Sequence, residues 1–376
     1  MKVCLFGDAR SVHLRRLAAE LSAREVEVHI VTHKPAEVPG ASVERFAVPP
    51  PDWRNLRRWQ GRRRRYLGEF LRRFDVVNVH FIVDWGFDRE SLERSFEHGR
   101  LVASAWGSDL VPPPGETVPS DQERAARREL LQAAHVVTAC GPTFAEVVAR
   151  FADLASTDVQ VVPFGVDLER FRPDRDSPGR AIDALGGDAA SPIVGFHKGF
   201  RPVYGAKTLL AAMPLILSQR PNARFEMIGD GPELAECRAM ARESGIDGVI
   251  HWLPRMRHDE IPDVLRRWSV CLMPSVHEAF GVAALESSAM GVPVVASDVC
   301  GLRDTVRNGE TGVLVPVADS PAVATAVVDL LRDPVRCREM GRAGRSFVER
   351  EYDAVHVYDR WIQLYQQTRE RSLVMV

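Results

Sequence analysis

Short apolar segments alternate with helix-like segments along the whole 376-residue chain, and this alternation restricts the fold more than any other feature. Several of the apolar segments are nearly continuous runs, as expected for strands that are buried on both faces. Strands separated by helices pair in parallel and form sheets covered by helices on both sides. The predicted strands are Lys2–Phe6, Val26–Val31, Val76–His80, Leu101–Ala105, Val136–Ala139, Val159–Val162, Ile193–Phe196, Arg224–Ile228, Val249–Trp252, Val270–Met273, Val294–Ala296 and Gly312–Val315. The sequence therefore predicts an α/β protein made of doubly wound, Rossmann-like parallel sheets.

A stretch rich in proline, glycine and charge, Pro163–Arg180, divides these strands into two groups. Such a composition is typical of a linker between domains. The length of the chain also suits two α/β domains better than one. We therefore predict an N-terminal domain over residues 1–165 and a C-terminal domain over residues 166–352.

The last segment carries a helical stripe of apolar side chains, formed by Val357, Trp361, Leu364 and Tyr365. A terminal helix is stable only when this stripe packs against another surface. We expect residues 353–376 to return to the N-terminal domain.

Composition excludes several classes of protein. Hydrophobic residues make up 45% of the chain, enough for a large core, and the net charge of −2 does not favour nucleic-acid binding. No apolar run reaches the length of about 20 residues that spans a bilayer, and the N-terminal residues do not resemble a signal peptide. The six cysteines show no metal-ligand spacing and are expected to be buried apolar residues. A cytoplasmic protein is predicted.

The strongest local signal lies between Met273 and Val315. A strand is followed by a loop with Glu278 and then by a helix, predicted from Phe280 to Gly291. Amides at the start of a helix bind anions such as phosphate, and Gly281 allows close approach of the backbone. Carboxylates beside such a site accept hydrogen bonds from hydroxyl groups.

This segment resembles the signature of the family 4 retaining glycosyltransferases, which have the two-domain GT-B fold. The family signature is a Glu, seven residues and a second Glu, followed by a Gly-Val-Pro-Val-Val strand; here the pair is Glu278 and Glu286. The resemblance implies that Glu278 contacts the donor sugar and that Glu286 contacts the ribose of the nucleotide. The remaining donor-binding positions that it implies in this segment are Ala279, Phe280, Gly281 and Val282.

Other segments resemble the same family and extend the likeness over nearly the whole chain. They are the linker Val161–Pro173, the strand and loop Phe225–Glu233, the strand Asp75–Phe81 that ends near the reacting centre, and the loop Trp106–Leu110. The family implies an acceptor-side N-terminal domain and a donor-binding C-terminal domain. Trp106 stands where many members carry a histidine, so an acceptor role is not carried over to this position.

The cations that meet the donor diphosphate depart from the family pattern. Members carry an Arg and a Lys about six residues apart, whereas this chain has Lys198 and, at the second position, Tyr204. We predict that Lys198 contacts phosphate. Arg201 and Lys207 are the two candidates for the second cation.

In the N-terminal domain, Gly7 follows the first strand and Ser11 is predicted to cap the first helix. This short loop resembles the glycine-rich loop of the family, and Gly7 is placed among the donor-binding residues. His80 ends a strand at the edge where open α/β sheets bind ligands. We predict that it contacts the donor sugar or the acceptor, and that Asp109 holds an acceptor hydroxyl; the alternative is that His80 is structural.

Two further motifs have competing interpretations. Asp174-Arg175-Asp176 spells a metal-binding triplet but lies in the linker, so we expect a charged linker and no metal. Arg54–Arg73 holds nine arginines and one acid, with an apolar stripe of Leu67, Phe70, Leu71 and Phe74. A solvated basic helix is favoured, and peripheral docking on an anionic membrane is the alternative.

The resemblance thus implies metal-independent transfer of a hexose-type sugar, with retention, from a nucleoside diphosphate donor to a hydroxyl group. The predicted catalytic residues are His80 and Glu278, and no cofactor is expected beyond the nucleotide-sugar substrate. The acceptor is a small molecule, a polysaccharide or a lipid, and the base is expected near Pro254–His258. Two rival functions are a nucleotide-sugar epimerase of the same fold and a non-catalytic protein that binds nucleotide sugars.

Overall fold

The computed structural model describes residues 1–46, 69–82, 100–173 and 191–374. Residues 54–68 of the basic segment and the Asp-Arg-Asp triplet 174–176 lie outside the described residues. Within the described part, residues 1–112, 117–164 and 356–374 form one unit, here called the N-terminal unit. Residues 113–116 and 165–355 form the C-terminal unit.

The N-terminal unit contains a seven-stranded parallel sheet in the order β3-β2-β1-β4-β5-β6-β7. Its strands are β1 (Lys2–Phe6), β2 (Glu27–Thr32), β3 (Ala41–Arg45), β4 (Val76–His80), β5 (Leu101–Ala105), β6 (Val136–Ala139) and β7 (Val159–Val161). Its helices are α1 (Val12–Ala23), α2 (Asp121–Ala133) and α3 (Pro142–Ala152). The strand order changes direction between β1 and β4, so their carboxyl ends leave room for a ligand.

The C-terminal unit repeats this plan with a six-stranded parallel sheet, β10-β9-β8-β11-β12-β13. The strands are β8 (Ile193–His197), β9 (Arg224–Ile228), β10 (Ile250–Leu253), β11 (Val270–Met273), β12 (Val294–Ser297) and β13 (Gly312–Val315). The helices are α4 (Ala206–Gln219), α5 (Leu234–Glu243), α6 (Ile261–Leu265), α7 (Val282–Ala289), α8 (Cys300–Thr305), α9 (Ser320–Arg332) and α10 (Pro334–Glu351). The direction changes between β8 and β11. The predicted fold class is confirmed.

Strand β3 is the one element of the sheets that the sequence did not predict. It pairs with β2 at the edge of the first sheet, and its residues are half-buried or exposed. A short edge strand needs no continuous apolar run, because only one of its sides is hydrogen-bonded. The sequence signal used for the buried strands is therefore absent there.

The last helix, α11 (Ala354–Val374), packs its predicted stripe into the N-terminal unit. Val357, Trp361, Leu364 and Tyr365 are all buried. The hydroxyl of Tyr365 accepts a hydrogen bond from Asn78 Nδ2 on β4 at 2.8 Å. This bond continues a buried hydrogen-bond network through Ser104 on β5 and Thr138 on β6. Each of these four buried polar side chains therefore has a hydrogen-bond partner.

The C-terminal unit ties its own first and last segments together. The amide of Val166 donates to the Tyr352 carbonyl at 2.8 Å, and the amide of Ala354 donates to the Val166 carbonyl at 3.0 Å. A Cβ on Gly165 would lie 2.5 Å from the Cα of Ala354, so only glycine allows this approach. The first and last segments of the C-terminal unit are therefore held together at this point.

Candidate active site

Charged side chains meet at the carboxyl edge of the second sheet, where the strand order changes direction. Lys198 follows β8 directly, Glu278 lies on the loop after β11, and Glu286 lies on α7. Lys198 lies 80 positions before Glu278, and the parallel topology brings it to the same edge as the loop and helix that carry the two glutamates. The structure therefore assembles three of the predicted donor-binding residues in one place.

Lys198 and Glu278 form a largely buried ion pair. Lys198 Nζ lies 2.6 Å from Glu278 Oε2, and the two side chains are 13% and 15% exposed. Burial acts to lower the pKa of Lys198, but the charge and hydrogen bond of Glu278 outweigh it and raise this pKa. The lysine is therefore a permanent cation at the site, and each partner satisfies the charge of the other.

Tyr204, which occupies the predicted position of the second cation, contacts the first cation, Lys198. Lys198 Nζ lies 4.8 Å from the centre of the Tyr204 ring, in the geometry of a cation–π contact. Tyr204 belongs to the short 3-10 turn Pro202–Tyr204 that leads into α4. The ring thus fixes the position of Lys198.

The two candidates for a second cation are engaged elsewhere in the C-terminal unit. Arg201 is paired with Glu116. Lys207 lies 2.8 Å from both Glu233 and Glu236, and these hydrogen bonds raise its pKa. All three candidate cations thus form ion pairs with carboxylates, and the contacts of Lys198, Arg201 and Lys207 with phosphate stay predictions.

Glu286 is buried on α7 and is bonded to a histidine that the sequence did not single out as a site residue. His258 Nε2 lies 2.5 Å from Glu286 Oε1, and His258 Nδ1 lies 3.3 Å from Nη1 of Arg170. The sequence placed the nucleotide base near the loop that ends at His258. Nothing in the sequence marks its contact with Glu286, because the two lie 28 positions apart on different elements.

The backbone between Glu278 and α7 is fixed by two glycines. Gly281 adopts φ 90° as the N-cap of α7, a conformation that favours glycine. A Cβ on Gly301 would lie 2.1 Å from the amide nitrogen of Phe280, and the Gly301 amide donates to the Glu278 carbonyl at 2.8 Å. Helix α7 begins at Val282, two residues after the predicted start.

The other predicted donor-binding residues of this segment, Ala279, Phe280, Gly281 and Val282, lie at the start of α7. Phe280 itself is buried against Tyr352, with ring centres 5.7 Å apart. The residue contributes packing through its side chain, so any ligand contact at this position comes from its backbone. The start of a helix beside Lys198 favours a negatively charged ligand.

The N-terminal unit has a separate pocket at the equivalent edge of its own sheet. The pocket has a volume of about 390 Å³ and is lined by Gly7, Asp8, Ser11, Thr32, His33, Lys34, His80, Phe81 and Trp106. Two predicted site residues, Gly7 and His80, therefore line the same pocket. Ser11 is the N-cap of α1 as predicted, but its side chain makes no capping hydrogen bond.

His80 is fully buried among aromatic rings. Its ring centre lies 5.2 Å from that of Trp106 and 5.6 Å from that of Trp361. Among the described residues, neither ring nitrogen has a hydrogen-bond partner. Burial lowers the pKa of His80 to about 3, so the imidazole is neutral at pH 7.

Asp109 organises the loop after β5. Its carboxylate accepts hydrogen bonds from the amides of Ile82 at 2.8 Å, Trp106 at 3.1 Å and Gly107 at 2.6 Å. Burial raises its pKa, although these amide bonds act in the opposite direction. Asp109 thus holds this loop through its carboxylate, and its contact with an acceptor hydroxyl stays a prediction.

Two kinds of feature are absent from the described ranges. No group of three or more His, Cys, Asp or Glu side chains is placed to hold a metal ion. Among the helices that the structure describes, none combines the length and the apolar character needed to cross a bilayer.

Comparison with known proteins agrees with this architecture. The model of the family described as "Glycosyl transferases group 1" matches residues 181–347, and that of "Glycosyltransferase Family 4" matches residues 11–170. A D-inositol 3-phosphate glycosyltransferase from Streptomyces avermitilis is 28% identical over 91% of this chain and 80% of its own length. A GDP-mannose-dependent alpha-(1-6)-phosphatidylinositol monomannoside mannosyltransferase from Mycolicibacterium smegmatis is 34% identical over 53% of this chain and 54% of its own.

Solved structures show the same fold at lower identity. Sucrose-phosphate synthase from Thermosynechococcus elongatus has a TM-score of 0.75 and 22% identity, with 98% of both chains covered. Anabaena HepE in complex with UDP has a TM-score of 0.76 and 16% identity, covering 98% of this chain and all of that one. The two sheets and these likenesses define a glycosyltransferase of the GT-B fold. Since the two family models together match most of the sequence, the chain belongs to the family 4 glycosyltransferases, also described as group 1.

Proposed function

We propose that the protein transfers a hexose-type sugar from a nucleoside diphosphate donor to an acceptor hydroxyl, without a metal ion and with retention at the anomeric carbon. The observation that carries this proposal is the convergence of Lys198, Glu278, Glu286 and the start of α7 at one edge of the second sheet. A permanent cation and helix amides suit a diphosphate, and buried carboxylates suit hydroxyl groups.

In this proposal each group has one task. The start of α7 and Lys198 bind the diphosphate, Glu278 binds the donor sugar, and Glu286 binds the ribose. The Lys198–Glu278 pair keeps both charges satisfied before the donor binds. Phosphate oxygens and sugar hydroxyls then offer each partner a replacement contact, so neither charge is left buried and unpaired.

The chemical step follows the usual balance of glycosyl transfer. The bond between the anomeric carbon and the phosphate oxygen breaks, and its electron pair leaves with the diphosphate. The acceptor oxygen forms the new bond on the same face of the sugar, and its proton passes to the departing phosphate oxygen. Lys198 and the α7 amides stabilise the charge that develops on the leaving group.

We assign the acceptor to the pocket of the N-terminal unit that His80 lines. The relatives act, by their names, on inositol 3-phosphate and on a phosphatidylinositol monomannoside. Phosphorylated cyclitols and their lipids are therefore the first acceptors to test here. A cytoplasmic location and peripheral contact with an anionic membrane through Arg54–Arg73 stay predictions.

The test uses UDP, GDP, ADP and dTDP sugars in metal-free buffer with a chelator. Thermal stabilisation is measured first, then release of nucleoside diphosphate with and without acceptor. We expect one donor class to stabilise the protein, and Glu286→Ala to abolish both stabilisation and release. Glu226→Gln, a change at a buried carboxylate that is bonded to Trp268 and Arg267 instead, is the control.

Other outcomes identify the rival functions. Conversion of the nucleotide sugar into an isomer without acceptor would indicate an epimerase. Tight donor binding without turnover on any acceptor would indicate a binding protein. Absence of stabilisation by every donor and every free nucleoside diphosphate would refute the proposed site.

A further inference from the structure

We infer that His258 is a positioning residue that orients Glu286 toward the ribose, and that it makes the site select ribonucleotides over 2′-deoxyribonucleotides. This inference rests on the proposed function, because it assumes that Glu286 meets the ribose. It adds a residue and a measurable selectivity to that site.

The hydrogen bonds of His258 define its tautomer. An arginine side chain only donates hydrogen bonds, so Nη1 of Arg170 donates to His258 Nδ1 at 3.3 Å. Nδ1 must then carry the lone pair, and the ring proton lies on Nε2. The 2.5 Å contact is therefore a hydrogen bond that Nε2 donates to Glu286 Oε1. In this arrangement the ring points its Nε2 proton at the carboxylate.

The ring is held in place by the segment that begins the C-terminal unit. Asp167 accepts from the Arg170 amide at 3.0 Å and pairs with its guanidinium at 3.6 Å. The buried ring of Phe171 lies 5.0 Å from His258 in an edge contact. Arg345 Nη1 donates to the Phe171 carbonyl at 2.6 Å, which anchors this segment. His258 is thus fixed both through Nδ1 and through the face of its ring.

The difference between the two site carboxylates explains what His258 does. Glu278 is bonded to a lysine, whereas Glu286 accepts a hydrogen bond from a histidine ring. The planar ring, itself held in place, fixes the orientation of the carboxylate, so that Glu286 is positioned to accept hydrogen bonds from hydroxyl groups. A buried polar group that is built to bind a hydroxyl rejects a ligand that lacks it, since the group then stays unpaired.

The experiment measures dissociation constants by calorimetry for UDP, GDP and ADP and for their 2′-deoxy forms. The readout is the ratio of the two constants for each base. We expect the unchanged protein to prefer the ribonucleotide by at least about tenfold. His258→Leu should lower this ratio about tenfold, and His258→Gln should restore much of it, because the glutamine amide can donate to Glu286. Arg170→Met should lower the ratio by a smaller factor.

His251→Leu is the matched control, because His251 also contacts a buried glutamate, Glu226, at 3.5 Å, but on β10. It should leave the ratio unchanged. A His258→Leu variant that weakens both nucleotides equally would overturn the inference and leave His258 a structural residue. An unchanged ratio in both His258→Leu and Arg170→Met would overturn it as well. Failure of the unchanged protein to bind any nucleotide would instead refute the proposed function.

Discussion

The two sheets have equivalent edges with different chemistry. In the C-terminal unit, the edge between β8 and β11 carries charged side chains that are already paired, Lys198 with Glu278 and Glu286 with His258. In the N-terminal unit, the edge between β1 and β4 carries a pocket with the neutral His80 among aromatic rings, and its ring nitrogens have no hydrogen-bond partner in the described part of the chain. The repeated topology fixes where a ligand can bind, and the side chains decide which chemistry each edge offers.

The buried ion pair gives the largest expected effect. Lys198→Met should leave Glu278 buried without its partner and lower the free energy of unfolding by about 3–5 kcal/mol, with loss of nucleotide binding. The double change Lys198→Met/Glu278→Leu should recover most of the stability but not the binding. Urea unfolding and calorimetry check both points, with Lys207→Met as the control. A single variant as stable as the parent would show that the pair is not buried as described.

The glycine that supports the Glu278 loop should give the next largest effect. Gly301→Ala places a Cβ 2.1 Å from the Phe280 nitrogen. This nitrogen belongs to the backbone, so the clash can be relieved only by moving the main chain. We expect a loss of about 1–3 kcal/mol in the free energy of unfolding and weaker nucleotide binding. Gly248→Ala is the matched control, because nothing lies within 4 Å of the added atom. Equal stability of the two variants would contradict the close approach.

Acid should destabilise the protein through neutral buried histidines at both edges. Burial lowers the pKa of His80 to about 3 and of His197 to about 4. Their ordinary value is about 6.5, so below that pH the unfolded chain binds protons that the folded one does not. Each group thus removes up to about 1.4 kcal/mol of stability per pH unit as the pH falls from about 6.5 toward its folded pKa.

Urea unfolding at pH 7 and pH 5 measures this dependence. His80→Phe should flatten it, and at pH 7 it should cost less than His197→Phe. The reason is that His197 Nε2 is bonded to the Ala283 carbonyl at 3.1 Å and to Ser287 at 2.9 Å, whereas His80 has no such bond to lose. An unchanged pH dependence in His80→Phe would mean that this ring is not buried as a neutral group.

The smallest effects are expected at the two candidate cations that the structure pairs elsewhere. Arg201→Met and Lys207→Met should change nucleotide affinity by less than about twofold, because exposed ion pairs contribute little. Calorimetry with the preferred nucleoside diphosphate tests this. A tenfold loss in either variant would show that this residue, rather than Lys198 alone, meets the diphosphate.

The sequence predicted the buried strands of both sheets well, because the signal for each strand lies within the strand itself. Buried parallel strands such as Val270–Met273 carry uninterrupted apolar runs, and the predicted bounds of Val270–Met273 and Val76–His80 agree with the structure. The half-exposed edge strand β3 has no such run and was missed. The Glu278 and Glu286 pair was identified through its resemblance to the family signature, which lies within a single loop and helix.

Tertiary structure alone decided the partners of these residues. Lys198 and Glu278 lie 80 positions apart, and Arg170 and His258 lie 88 apart, so no local spacing indicates that they meet. The same holds for Arg201 and Lys207, whose carboxylate partners Glu116 and Glu233 lie far from them in sequence or on another element. A sequence fixes which side chains lie at the end of each strand through local periodicity. Which of them share a proton or a charge depends on the order of strands in the sheet, which only the folded chain reveals.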